Sequence, residues 1–303
     1  MSEAYHIISD GSCDLPTELV QEKNITVVPF YVSFDDEHYL KEGVEIGVRD
    51  FYQQMVDRKG VYPKSCMPNA QDYADAFMPF VKEKTPIICI CITAKFSGSI
   101  QTALNAKDMI LEDYPEAEIT VIDSTVDTVL QGQFVMEAVA LRDSGASYKD
   151  TVDRLEEIKS TGRIFFTVGD MEYLIHGGRV GKVAAVAGSV LGIRPVITLK
   201  QGEIFPSGIG RSRKKTTEKS LELLVDYLKE SKLGIECYSL SIGFGYDKQE
   251  AEEYREHVIE TLRANGHSIK SNRFPIYQIG AGISVHTGPY PLGLGIIEKA
   301  IHD

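Results

Sequence analysis

The stretch from Ile87 to Leu104, IICICITAKFSGSIQTAL, constrains the fold more than any other. Ile87 to Ile92 is an unbroken apolar run with no polar residue alternating through it. That pattern marks a strand covered on both faces, as in the middle of a parallel sheet. After a loop, Thr93 to Phe96, Ser97-Gly98-Ser99 opens a helical pattern with Ile100, Ala103 and Leu104 on one side. A strand, a hydroxyl- and glycine-rich loop and a helix together aim free backbone N–H groups and the positive end of a helix dipole at an anion. The same residues also suit plain capping of the helix by Ser97 or Ser99. The stretch by itself leaves both readings open.

The rest of the first half repeats this rhythm. Tyr5 to Ser9 reads as a strand, followed by the turn formers Asp10 to Asp14 and a helix that Pro16 can open and that runs to Asn24. Thr26 to Val32 reads as a second strand, with Pro29 marking an edge or a bend. Val61 to Asn69, VYPKSCMPN, reads as a loop. Gln71 to Lys84 and Tyr148 to Ser160 are expected as helices, Gly132 to Ser144 as an amphipathic helix, and Glu118 to Ile122 as a strand. Alternating strands and helices build a parallel sheet with helices on both faces. Three strand ends carry Asp, Ser and Thr: Ser9 to Asp14, Thr93 to Ser99, and Asp123 to Thr125. Ligands bind outside the carboxyl ends of such strands, so three polar loops converging there point to a polar site.

After Ser160-Thr161-Gly162 the pattern changes. Strands are expected at Ile164 to Val168, Arg194 to Leu199, Glu203 to Pro206, Tyr238 to Phe244, Phe274 to Gly280 and Leu294 to Glu298. Helices are expected at Val183 to Leu191, Thr216 to Lys229 and Lys248 to Asn265. His286 falls in a glycine- and proline-rich stretch, AGISVHTGPYPLG, which reads as a loop. The fold class is therefore α/β. An N-terminal three-layer α/β/α domain with a parallel sheet spans 1–161, and a C-terminal two-layer α/β domain with a mixed sheet spans 162–303.

Composition narrows the function. A net charge of −12 excludes a general nucleic-acid binder, which needs a basic surface. Arg211, Arg213, Lys214 and Lys215 run against that background. They read either as a solvated helix start or as a contact for a phosphate, an anionic membrane or an acidic partner. Met1 to Asp10 lacks a basic start and an apolar segment, so no signal peptide is expected and the location is expected to be cytoplasmic. The five cysteines are scattered with no CxxC pair, which favours neither a disulfide framework nor a zinc site. No metal site is expected.

The sharpest enzymatic alternative is a serine hydrolase or phosphotransferase acting on a small acyl or phosphate substrate through Ser97 and His286. A hydrolase nucleophile sits on a G-x-S-x-G elbow, and the sequence around Ser97 is K-F-S-G-S. A P-loop, a G-x-G-x-x-G fingerprint on a strand–helix turn and an H-E-x-x-H pair are also missing. A third reading is a regulatory module that works through the Arg211 to Lys215 cluster.

The order and spacing of several motifs resemble the DegV family over essentially the whole chain. These are Ile8-Ser9-Asp10-Gly11-Ser12-Cys13-Asp14-Leu15-Pro16, Ser65-Cys66-Met67-Pro68, Phe96-Ser97-Gly98-Ser99-Ile100-Gln101-Thr102-Ala103, Val121-Ile122-Asp123-Ser124, Gly177-Gly178-Arg179, Arg211-Ser212-Arg213-Lys214-Lys215 and His286-Thr287-Gly288-Pro289. The resemblance implies a carrier with no turnover of its own. It would bury one long-chain fatty acid of the palmitate, stearate or oleate class and use no other cofactor. It would present the carboxylate to the catalytic subunit of a fatty acid kinase, feeding phospholipid synthesis. Carried over by motif, Ser65, Ser97 and His286 would contact the carboxylate, with Cys66, Gly98, Ser99 and Thr287 in support. Arg211, Arg213 and Lys214 would meet the kinase or, transiently, a membrane surface. Ser65-Cys66 stands where the family usually has Thr-Ser, so one hydroxyl is kept and one lost.

Overall fold

The structure is a computed structural model that describes residues 5–184, 194–269 and 274–302. The expected helix from Val183 to Leu191 lies outside the described residues beyond position 184. The described strands are β1 (His6–Asp10), β2 (Ile25–Val28), β3 (Tyr31–Ser33), β4 (Leu40–Lys41), β5 (Lys64–Cys66), β6 (Ile87–Cys91), β7 (Ile119–Asp123), β8 (Arg163–Thr167), β9 (Arg194–Lys200), β10 (Glu203–Gly210), β11 (Tyr238–Phe244), β12 (Ile276–Gln278) and β13 (Leu292–Glu298). The described helices are α1 (Thr17–Glu22), α2 (Val48–Asp57), α3 (Ala70–Lys82), α4 (Ser99–Asp113), α5 (Thr128–Asp143), α6 (Tyr148–Ile158), α7 (Glu172–His176), α8 (Arg213–Glu230), α9 (Lys248–Ala264) and α10 (Ala281–Thr287).

The parallel sheet runs β2-β1-β6-β7. β6 is fully buried, as its unbroken apolar run requires. Ile87, Cys89 and Cys91 pack with Tyr73, Phe77, Ala103 and Ala106 of α3 and α4. Ile88 and Ile90 point the other way, to Leu130, Phe134, Leu155 and Ile158 of α5 and α6. Alternate side chains of one strand therefore hold the two helical layers together.

The second strand expected at 26–32 divides in two. Pro29 has no N–H to give to a ladder, so β2 ends at Val28 and the chain leaves the sheet. It resumes as β3 in a separate three-stranded antiparallel sheet, β4-β3-β5. β5 lies inside the segment read as a loop, and it pairs Ser65 with Val32. Three residues are too few to show a period, which is why the sequence pattern does not reveal this strand.

The mixed sheet runs β10-β9-β8-β13-β11-β12, antiparallel except between β11 and β12. α8 and α9 cover one face through Leu221, Leu224, Leu228, Tyr254, Val258 and Leu262. The other face meets α5. That helix begins at Thr128, earlier than the expected Gly132, and is buried nearly all round rather than on one side. A helix wedged between two sheets has no solvent face, so amphipathicity is not to be expected there. Gly132 marks its closest approach to the β1–α1 connection: a Cβ there would lie 2.4 Å from the Cys13 carbonyl oxygen.

Candidate functional site

The loops after β1, β6 and β7 meet at the carboxyl edge of the parallel sheet. Most of their polar groups build a buried scaffold. Asp10 accepts hydrogen bonds from the Ile92 N–H (3.0 Å), Ser99 Oγ (2.8 Å) and Gln131 Nε2 (2.8 Å). Burial pushes its carboxyl up, and these donors offset part of that rise. Ser99 Oγ also lies 2.6 Å from the Tyr73 hydroxyl. Ser99 is thus committed to this scaffold and does not line the adjoining cavity. The network ties β1, β6, α4 and α5 together and so fixes where Ser97 stands.

That cavity has a volume of about 260 Å³. Ser65, Ser97, Gly98 and His286 form its polar end, with Cys66 and Thr287 also in its wall. Phe30, Ile92, Phe96, Phe166, Leu174, Ile204 and Ile283 supply apolar wall. The chain therefore brings positions 65, 97 and 286 together from β5, the β6–α4 loop and α10.

Ser97 Oγ accepts the Ser99 N–H at 3.2 Å, while the N-cap position of α4 is Gly98. The two readings of this loop are compatible, because an accepting hydroxyl still has its own hydrogen to donate. Among the described residues the Gly98 N–H has no acceptor.

His286 lies in α10, where the sequence pattern suggests a loop. Seven residues, AGISVHT, are too few to show helical periodicity. The helix start is held by Glu42, whose carboxylate accepts the N–H groups of Ala281 and, at 3.0 Å, Gly282. Burial pushes Glu42 up to about 7, partly offset by those two N–H groups. His286 Nε2 is 3.3 Å from Ser65 Oγ. Burial, aided by the nearby Arg179 charge, lowers His286 to about 4, so the imidazole is neutral at neutral pH. Its Nδ1 is buried against Gly177 with no partner among the described residues. Only glycine fits there: a Cβ at position 177 would lie 2.1 Å from that nitrogen.

Arg179, to which the sequence reading assigned no role, also lines the cavity. Its Nε donates to the Phe96 carbonyl (3.0 Å) and its Nη1 to the Gly177 carbonyl (2.7 Å). The available signal was a cation immediately after a glycine pair. With Ser65, Ser97, neutral His286 and Arg179, this end offers hydrogen-bond donors and one positive charge to an anion.

A smaller chamber of about 40 Å³ adjoins the first and shares part of its wall. Asp127, Phe166, Ile283 and Thr287 line both, and Val129, Ile164, Ile279 and Leu292 enclose the second. The combined space runs from a hydroxyl-bearing end into apolar wall between α5, α10 and the mixed sheet.

A serine-hydrolase triad is not assembled among the described residues. His286 faces Ser65 rather than Ser97, and no carboxylate hydrogen-bonds its Nδ1. Nor do the described residues contain a group of three or more His, Cys, Asp or Glu able to hold a metal ion. No described helix is long and apolar enough to cross a membrane.

The basic cluster lies apart from the cavity lining. Arg211 is exposed, just before α8. Arg213 is held in a two-pronged ion pair with Glu250 (2.7 and 2.8 Å). Lys214 is exposed, with its Nζ 4.0 Å from Glu218.

Comparison with known proteins identifies the family and agrees with the overall fold. The family model described as "Uncharacterised protein, DegV family" matches residues 4–299. A DegV domain-containing protein of Caldanaerobacter subterraneus is 29% identical over 98% of this chain and 100% of its own length. The crystal structure of a stearic acid-binding protein from Eubacterium ventriosum superimposes with a TM-score of 0.92, at 42% identity over 98% of this chain and 99% of that one. A fatty-acid-binding DegV family protein from Thermus thermophilus gives 0.86, at 25% identity over 98% and 100% of the two chains. The chain belongs to the DegV family.

Proposed function

We propose that this protein carries one long-chain fatty acid, of the palmitate, stearate or oleate class, with its tail in the two adjoining chambers and its carboxylate at Ser65, Ser97 and His286. The observation that carries this reading is a mainly apolar cavity that opens beside exposed Cys66, Gly98 and Arg179 and has hydroxyls, a neutral imidazole and that arginine at one end. The likeness to a stearic acid-binding protein at 42% identity supports it. Cys66, Gly98 and Thr287 stand in the same wall and would support the headgroup. Ser99 acts through the scaffold that places Ser97.

The protein performs no chemistry on its cargo in this reading. It presents the carboxylate to the catalytic subunit of a fatty acid kinase, which forms the acyl-phosphate that feeds phospholipid synthesis. Arg211 and Lys214 are the exposed cations available to that kinase or to a membrane surface, and Ile209 beside them is 57% exposed. Arg213 serves this surface indirectly, by anchoring the start of α8 to α9 through Glu250. The setting is the cytoplasm, where the five unpaired cysteines would stay reduced. In this reading the chain divides into domains at 161–162, which is supported by the change there from the parallel sheet to the mixed one.

The test is a coupled assay with a fatty acid kinase and ATP. Ser97→Ala should retain bound fatty acid and lose most acyl-phosphate formation. Undiminished phosphorylation in that variant refutes the presentation role.

A further inference from the structure

Asp127 is the one ionisable side chain that lines both chambers. It stands where the two linings meet, with Phe166, Ile283 and Thr287. It occupies the N-cap position of α5 but makes no side-chain capping bond. Among the described residues its carboxyl takes part in no hydrogen bond and no ion pair. Thr128, which follows it, is held at a φ of 47°, a costly conformation for a β-branched residue. Its Oγ1 donates to Asp14 at 2.6 Å, so that neighbour is anchored while Asp127 is left unpaired. Removal from water pushes Asp127 up to about 7.

A bare carboxyl in the wall of a tunnel for a plain hydrocarbon costs free energy and gains nothing from the tail. It becomes useful if the cargo brings a polar group to that point. We propose that the tunnel is built for a hydroxylated long-chain fatty acid, and that Asp127 is the specificity residue that hydrogen-bonds a hydroxyl on the chain where the two chambers meet. A hydroxyl can donate to the ionised carboxyl and can accept from the protonated one, so either form completes the pair. An added methylene cannot do either. This inference rests on the fatty-acid reading above.

The experiment measures displacement of a fluorescent fatty acid from the purified protein by stearate and by positional isomers of hydroxystearate. One isomer should bind about three- to tenfold tighter than stearate, with isomers displaced by several carbons bringing no gain. Asp127→Leu should erase that advantage and tighten stearate, while Asp127→Asn, still able to donate and accept, should keep part of it. If stearate binds and every hydroxylated isomer binds equally or more weakly, the role of Asp127 is wrong and the carrier reading stands. If neither stearate nor any hydroxystearate displaces the probe, the carrier reading fails and this inference fails with it. The wild-type series decides the matter even if Asp127→Leu does not fold.

Discussion

The two ends of the cavity are built on different principles. The polar end uses Ser65, Ser97 and His286, each delivered by a separate element and each held by its own support: the β3–β5 pairing, the Asp10 network, and Glu42 at the start of α10. The far end uses Val129, Ile164, Ile279 and Leu292, which are ordinary core residues that happen to leave a space. Each buried methylene is worth about 0.8 kcal/mol, so a tail of about 14 contributes roughly 11 kcal/mol before the costs of binding. A single hydrogen bond, even to a charged group such as the carboxylate, contributes no more than about 3 kcal/mol net. The tail end therefore sets affinity, and the polar end sets which way the molecule lies and what meets its carboxylate.

That division can be broken from either side. The largest effect belongs to the tail end. Ile283→Trp puts a bulky ring where the chambers join and should weaken stearate binding about 100-fold or more, measured by displacement, with the fold checked by circular dichroism. Retained affinity would show that the tail does not pass this point. Next come Ser97→Ala and His286→Ala. Each should cost about three- to tenfold in stearate affinity and considerably more in acyl-phosphate formation. A loss of affinity as large as that of Ile283→Trp would overturn the division.

A smaller effect separates support from contact. Glu42 has its carboxyl raised to about 7 against an ordinary 4.5. The fold thus favours its protonated form, and that stability is full below about 4.5 and lost as pH rises to about 7. His6 and His286, lowered to about 4 from 6.5, act in the opposite sense: their contribution is present above 6.5 and lost as pH falls to about 4. The histidines are common to both proteins when Glu42→Gln is compared with wild type. The variant should then lose less stability between pH 5 and pH 8 in urea titrations, by on the order of 1 kcal/mol. An unchanged pH profile would remove Glu42 from this role. The smallest effect on binding is expected from Arg211→Ala, which should leave stearate affinity within about twofold while lowering phosphorylation by the kinase.

The same contrast explains what could be seen in the sequence. Ser97 was visible because a buried strand, a hydroxyl-rich loop and a helix follow each other in one short stretch. The layers of the parallel sheet follow from the unbroken apolar run at Ile87 to Ile92 and the alternation of strands with helices, and the mixed sheet from the change of rhythm after Gly162. Ser65 rests on motif resemblance alone, and His286 stands out in the sequence only as a histidine in a glycine- and proline-rich stretch, since β5 and α10 are too short to show a period. The sequence also suggested that the three polar loops would form the site together. In the fold Asp10, Ser99 and Gln131 satisfy one another, and of the three loops only the stretch Phe96-Ser97-Gly98 lines the cavity, with Ser97 its one polar side chain there. The tail chamber had no local signature, because a residue lining a void and a residue filling a core have the same chemistry. Asp127 differs from its neighbours there, but only the fold reveals that it faces the joint between two chambers.

The most direct test of the central claim is native mass spectrometry of the purified protein, followed by denaturation and organic extraction. One fatty acid per chain, released on denaturation and still present in Ser97→Ala, is the predicted result. An empty protein that also takes up no added stearate or hydroxystearate would contradict it.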